Sequence, residues 1–251
     1  MTKLKALIFD VDGTIAETEK NGHRIAFNSA FAAAKLDWHW SVNFYGELLA
    51  ISGGKERIRS YIEQYKSDEL PKKDLTNFIT TLHLAKTKYY RQLLDEGSIP
   101  LRLGVERLIT EAREQGILLA IATTSALPNA MALVEKFFNP DWFEVIAAGD
   151  IVPAKKPAPD IYNYVLQQMN LQPSDCIVIE DSYHGLEAAT AAGLKTIVTV
   201  NDYTKNQDFS NALLVLNHLG EPEQPFEIIQ GKIQDTSYLD LSVIDSLLSV
   251  N

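Results

Sequence analysis

The sequence predicts an α/β fold: a doubly wound parallel sheet core with an all-helical domain inserted after its first strand. Three observations predict it. Short apolar runs alternate with helix-length segments over the second part of the chain, the pattern of a parallel sheet covered on both faces. Between the first run and the second, residues 17–99 show helical periodicity and no convincing strand. The apolar runs also end on a recurring set of polar residues, where such a sheet would gather them. The expected division is a core of residues 1–16 and 100–251 and a helical cap of residues 17–99.

The first run, Ala6-Leu7-Ile8-Phe9, is apolar throughout and reads as a strand buried on both faces. It stops at Asp10-Val11-Asp12-Gly13-Thr14. Gly13 allows a sharp turn there. A helical segment from Glu17 to Lys35 then places Phe27, Ala30, Phe31 and Ala34 on one face. Asp37-Trp38-His39-Trp40 reads as a turn. A second helix runs through Phe44, Leu48 and Leu49 and is broken by Ser52-Gly53-Gly54-Lys55. A third carries Ile58, Tyr61, Ile62 and Tyr65. Pro71 opens a long fourth, with Leu75, Phe78, Ile79, Leu82 and Tyr89. The insert closes near Gly97-Ser98-Ile99-Pro100.

Strand and helix then alternate. Gly104 to Gln115 is a helix closed by Gly116. Apolar runs follow at 118–122, 145–148, 177–179 and 196–200, with a sixth at 212–216. Helices fall between them, one starting near Pro159-Asp160 and one ending at Gly193. The tail from Pro222 carries mixed signals and is given no role.

Composition narrows the function. The chain has 251 residues, enough for a large core, and a formal net charge of −10 without a basic run. Nucleic acid and anionic membrane surfaces are therefore not expected partners. A small anionic substrate would need a locally basic pocket. A single cysteine, Cys176, excludes an internal disulfide and reads as a small core residue. No stretch is long enough to span a membrane. The start runs straight into the first strand without a leader peptide, so a cytoplasmic protein is expected. A monomer is the expected state.

Ligands of an open parallel sheet bind at the carboxyl ends of its strands. Here those ends carry Asp10 and Asp12, then Thr123-Thr124-Ser125, then Lys155-Lys156, then Glu180-Asp181. Two adjacent carboxylates raise each other's pKa unless a cation sits between them. That points to Mg²⁺, a hard ion that takes oxygen ligands. One carboxylate can attack phosphorus while the other moves a proton. Asp10 and Asp181 can hold the metal, and the groups near Thr123 and Ser125 can hold phosphate oxygens. A lysine can neutralise the charge that gathers there. Taken singly, each feature has a plainer reading as a helix cap or a solvated pair. Their joint arrival at strand ends favours phosphoryl transfer.

In their order, Asp10-Val11-Asp12-Gly13-Thr14, Thr123, Lys156-Pro157-Ala158-Pro159-Asp160 and Glu180-Asp181-Ser182 resemble the four motifs of the haloacid dehalogenase superfamily. The insert resembles that superfamily's helical cap on a Rossmann-like core. The resemblance implies Asp10 as the nucleophile that forms an aspartyl-phosphate. It implies Asp12 as general acid/base and donor of a backbone carbonyl to Mg²⁺. Asp181 would be a metal ligand, with Glu180 beside it or acting through water. Lys156 would bridge Asp10 and the phosphoryl group, and Thr123, Thr124 and Ser125 would bind phosphate.

Within the superfamily, the stretch Glu17-Thr18-Glu19-Lys20-Asn21-Gly22-His23-Arg24, with Tyr45-Gly46-Glu47-Leu48-Leu49 and Gly53-Gly54-Lys55-Glu56-Arg57, resembles the CbbY-type phosphatases. These remove a phosphate from xylulose-1,5-bisphosphate, an inhibitor of Rubisco. By that resemblance Glu17 and the loop Gly53, Gly54, Lys55, Arg57 contact the sugar bisphosphate. Lys55 or Arg57 could hold its second phosphate. His23 is balanced between cap packing and substrate contact. Three other readings stay open: a β-phosphoglucomutase on the same core and cap, a phosphonoacetaldehyde hydrolase using Lys55 as a Schiff base, and a binding or regulatory protein on an inactive fold. A dehalogenase proper lacks the second acid, so Asp12 argues against it.

Overall fold

A computed structural model describes residues 4–66, 74–233 and 236–249. Its sheet has seven strands: β1 (Ala6–Phe9), β2 (Leu118–Thr123), β3 (Val145–Ala148), β4 (Cys176–Glu180), β5 (Lys195–Thr199), β6 (Leu214–Leu216) and β7 (Ile228–Gln230). Their spatial order is β3-β2-β1-β4-β5-β6-β7. All neighbours are parallel except β6 and β7.

β1 is short, but it lies at the centre. Ala6 stands beside Leu118 on one side and Cys176 on the other. Chain direction across the sheet reverses between β1 and β4, the switch point at which such sheets bind ligands. Alternation sorts the strand side chains. Leu7, Phe9, Ile121 and Ile179 pack on one face with helices α5 (Val105–Glu114) and α9 (Leu241–Ser249). Ala6, Ile8, Ala122 and Val178 pack on the other with α7 (Asp160–Met169) and α8 (Tyr183–Ala191). Cys176 belongs to that second layer; burial pushes its thiol up to about 12, so it is an unreactive core residue. Helix α6 (Leu127–Phe137) follows β2.

The inserted cap has its own apolar cluster. Helix α1 (Arg24–Ala33) contributes Phe27 and Phe31, α2 (Val42–Leu48) Tyr45, α3 (Gly54–Tyr65) Ile58 and Tyr61, and α4 (Leu75–Asp95) Ile79 and Leu82. Tyr90 and Leu94 of α4 reach instead into the core cluster. Two chain crossings join cap to core. They run antiparallel, with Ala16 bridged to Leu101, and Arg102 binds Glu17 across them at 2.9 Å.

Several local expectations change. The first cap helix does not run unbroken from Glu17 to Lys35. A π-turn, Glu19–His23, precedes α1, and Ala34 lies exposed beyond its end. The chain turns there because Trp38 and Trp40, read as part of a turn, fold back onto Phe27 and Phe31 and are buried. Lys55 lies within the first turn of α3 and not in a loop. Pro71, expected to open α4, is outside the described residues. The tail, given no role, supplies β7 and α9.

Candidate active site

The loop after β3 brings Lys156 into the centre of the site. Its Nζ donates to Asp10 Oδ1 at 2.7 Å, to Glu180 Oε1 at 2.6 Å and to the Ala122 carbonyl at 2.8 Å. Three neighbouring strands thus meet on one ammonium whose residue is 4% exposed. Glu180 is fully committed. Tyr162 donates to its Oε1 at 2.8 Å, and the Asp181 and Ser182 N–H groups donate to its Oε2 at 3.0 and 3.3 Å. Burial alone would lower the Lys156 pKa, but Asp10 and Glu180 outweigh it and hold the ammonium well above its usual range. Burial pushes Asp10 up, to about 8, against the pull of Lys156; Glu180 and Asp12 add to the rise.

Carboxylate oxygens of Asp10, Glu180 and Asp181 all lie within 4.8 Å of one another. Burial, then Glu180 and Asp10, raise Asp181 well above its usual value. One lysine does not neutralise three buried carboxylates, and a hard cation beside them would. The donor set therefore fits Mg²⁺. Asp10, Asp12 and Asp181 face the cleft, whereas Glu180 is wholly buried and does not line it. Glu180 thus sits where it holds Lys156 and the turn after β4. Asp181 is fixed by Asn201, whose Nδ2 donates to Oδ2 at 2.6 Å. Gly13 has φ +88°, and a Cβ there would strike the Asp181 carboxylate and the Asn201 amide.

Asp12 points toward the cap. Its Oδ1 is 2.8 Å from His23 Nε2, and His23 Nδ1 is 2.8 Å from Lys86 Nζ. An ammonium only donates, so Nδ1 accepts and Nε2–H is aimed at Asp12. Lys86 is buried over the rings of Phe27 and Tyr90, and burial lowers its pKa to about 8. Burial pushes Asp12 up, but the His23 imidazole outweighs it and holds the carboxyl well below the usual carboxylate range. His23 therefore faces Asp12, stacked on Tyr90.

A cleft of about 520 Å³ opens over these groups between core and cap. Thr123 and Thr124 line it, and Thr123 Oγ1 accepts from the Ser125 N–H at 3.1 Å. From the cap come Gly53 and Arg57. Arg57 is buried, with Nε on the Leu48 carbonyl, one terminal nitrogen on the Ile51 carbonyl and the other on Tyr45 Oη. Tyr45 in turn donates to Glu19, which also lines the cleft. Gly54, Ser125 and Glu17 do not line it, and Glu17 is held at the hinge by Arg102. Lys55 is exposed and lies outside the lining. Lys86, Asn201, Tyr162 and Glu19 are site residues that the sequence reading missed.

Residues 4–193 match the family model of haloacid dehalogenase-like hydrolases. The chain is 45% identical over 225 residues to the plasmid-borne protein CbbY of Cupriavidus necator, covering 88% of each. It is 48% identical over 213 residues to the CbbY protein of Rhodobacter capsulatus, covering 84% of this chain and 91% of the relative. Two crystal structures of CbbY from Rhodobacter sphaeroides, one in complex with phosphate and one of a mutant in complex with xylulose-(1,5)bisphosphate, superpose with TM-scores of 0.79. Both are 45% identical to this chain and cover 86% of it and 94% of their own. The chain therefore belongs to the haloacid dehalogenase-like hydrolases and, within them, is a phosphatase of the CbbY type.

Proposed function

We propose that the protein removes a phosphate from xylulose-1,5-bisphosphate, leaving xylulose 5-phosphate, through an aspartyl-phosphate on Asp10. One observation carries the reading: Lys156 holds Asp10 at the floor of the cleft, with Asp12 facing the same cleft and bonded to His23. The identity to CbbY proteins supports the choice of substrate.

In this reading an Asp10 carboxylate oxygen attacks phosphorus and the bond from phosphorus to the sugar oxygen breaks. Asp12 gives that oxygen a proton, supplied as the His23 Nε2 proton moves to Asp12 and the Lys86 ammonium gives one to His23 Nδ1; the relay runs back when Asp12 is reprotonated. The Asp12 carboxylate then takes a proton from water, whose oxygen attacks phosphorus and returns Asp10 with release of inorganic phosphate. Lys156 keeps Asp10 oriented and offsets charge on the phosphoryl oxygens. Thr123, Thr124 and the amides after them receive those oxygens, and Arg57 is the cap cation placed to meet the remote phosphate. Mg²⁺, held by Asp10, Asp181 and the Asp12 carbonyl, would supply Lewis-acid stabilisation of the phosphoryl group.

Phosphate release tests this. With Mg²⁺ and a panel of sugar mono- and bisphosphates, the account expects xylulose-1,5-bisphosphate to show the highest kcat/KM, with one equivalent of phosphate freed. Isomerisation of a hexose phosphate without phosphate release would replace it with a mutase.

A further inference from the structure

The first turn of α3 rests directly on the residue pair that carries the active-site lysine. Ser52 Oγ donates to the main-chain oxygen of Lys156 at 3.1 Å. Four residues on, Glu56 Oε1 accepts from Lys155 Nζ at 2.9 Å, and Asp150 Oδ1 lies 3.3 Å from the same nitrogen. Gly53, between Ser52 and Glu56, has φ +95°. A Cβ there would strike the Glu56 carboxylate and lie 2.9 Å from Lys155 Nζ, so the missing side chain is what admits the pair. Neighbouring lysines thus point to different partners. Lys156 is buried on the nucleophile, whereas Lys155 reaches out to the cap.

We propose that Lys155 is a positioning residue whose ion pair with Glu56, together with the Ser52 bond, clamps the cap's glycine turn onto the loop between β3 and α7. Closing the cap and seating Lys156 are then one event, because both use the dipeptide Lys155-Lys156. The Asp150 carboxylate keeps the lysine in place when the cap lifts. Another cap-to-core ion pair, Lys20 with Asp202 at 2.6 Å, is more open to water: its side chains are 43% and 59% exposed, against 23% for Lys155 and 49% for Glu56. It is therefore the weaker tether. The consequence for turnover rests on the phosphatase reading; the clamp itself does not.

The test needs no substrate. Spin labels are placed at Glu63→Cys on α3 and Thr190→Cys on α8, both exposed, in a Cys176→Ala background. Pulsed dipolar spectroscopy then reads the distance from cap to core. The clamp predicts one short distance in the parent protein. A longer population should appear in Glu56→Gln and in Lys155→Gln, with the closed-to-open ratio falling about threefold, the scale of a partly exposed ion pair. It should also appear in the parent at about 1 M NaCl, where the Debye length is about 3 Å. The exchanged pair, Glu56→Lys with Lys155→Glu, should restore the short distance. Identical distributions in parent and single variants would overturn the proposal. So would a lengthening that the exchange does not reverse, since general loosening of the cap would explain it. Failure of the parent to release phosphate would count against the phosphatase reading and leave these distances as they are.

Discussion

At the scale of single residues, the site is a charge problem that the fold states openly. Asp10, Glu180 and Asp181 share a water-poor pocket with one ammonium, and Asp10 is pushed up to about 8. At pH 7 that carboxyl keeps its proton until a cation arrives. Mg²⁺ needs the carboxylate, so its binding must expel the proton. Asp181 is raised as well, so the account expects protons to be released from this carboxylate pair when Mg²⁺ binds at pH 7, and fewer as the pH rises. The apparent affinity should climb with pH, by at least about tenfold per unit below the Asp10 pKa. Titration calorimetry in two buffers of different ionisation enthalpy measures this without any turnover. Heats that do not depend on the buffer at pH 7 would show that Asp10 is ionised before the metal binds. The motif residues were legible because each follows an apolar run, and strand ends of one sheet must converge. Asn201 was not, because it lies in an irregular loop beyond β5 and only the folded chain brings it 2.6 Å from Asp181. Lys86 did leave a signal: it falls in the apolar stripe Ile79, Leu82, Tyr90, Leu94, where an unexplained charge needs a buried partner.

At the scale of elements, helix α3 separates two cations that look equivalent in the sequence. Lys55 and Arg57 are two positions apart, so they cannot share a face of a helix. A loop, which the two glycines suggested, would have left both free to turn inward. The helix starts at Gly54, and its register turns Arg57 into the cleft wall while Lys55 is left exposed. In the proposed reading the remote phosphate goes to Arg57 and not to Lys55. Replacing Arg57 with Lys keeps the charge and removes the fork. Losing a charged hydrogen bond is worth about 1.5–3 kcal/mol, on the order of a tenfold to hundredfold fall in kcat/KM on the bisphosphate. Hydrolysis of para-nitrophenyl phosphate, which has no second phosphate, should change by less than about threefold. Lys55→Ala should stay within about threefold on both substrates. A selective bisphosphate defect in Lys55→Ala, with Arg57→Lys unaffected, would reverse the assignment. The first cap helix is shorter than its periodicity suggests for a related reason. Its apolar spacing runs on to Ala34, but burial of Trp38 and Trp40 ends the helix at Ala33. A pattern along the chain does not show what will pack across it.

At the scale of the whole molecule, the fold class follows from alternation alone, and the sequence shows the insert by its lack of strands. The order of strands does not follow from alternation. That β1 lies between β2 and β4 is what sets Asp10 between Thr123 and Glu180. β7 does not show in the sequence because it is a three-residue, exposed, antiparallel edge. The net charge of −10 also gains a meaning. In the proposed reading an acidic protein binds an anion by placing cations at one cleft, and here Lys156, Arg57 and Lys86 stand together near the two aspartates. No helix among the described residues is long and apolar enough to cross a membrane.

The central claim is that phosphorus passes through Asp10. Acid quenching during turnover of xylulose-1,5-bisphosphate with Mg²⁺, followed by peptide mass spectrometry, tests it most directly. The account predicts one phosphoryl group on the peptide that contains Asp10, and none elsewhere. It also predicts that folded Asp10→Asn neither gains the group nor frees phosphate, because an amide does not attack phosphorus. Steady phosphate release by Asp10→Asn, or a phosphoryl group on another residue of the turning-over enzyme, would contradict it.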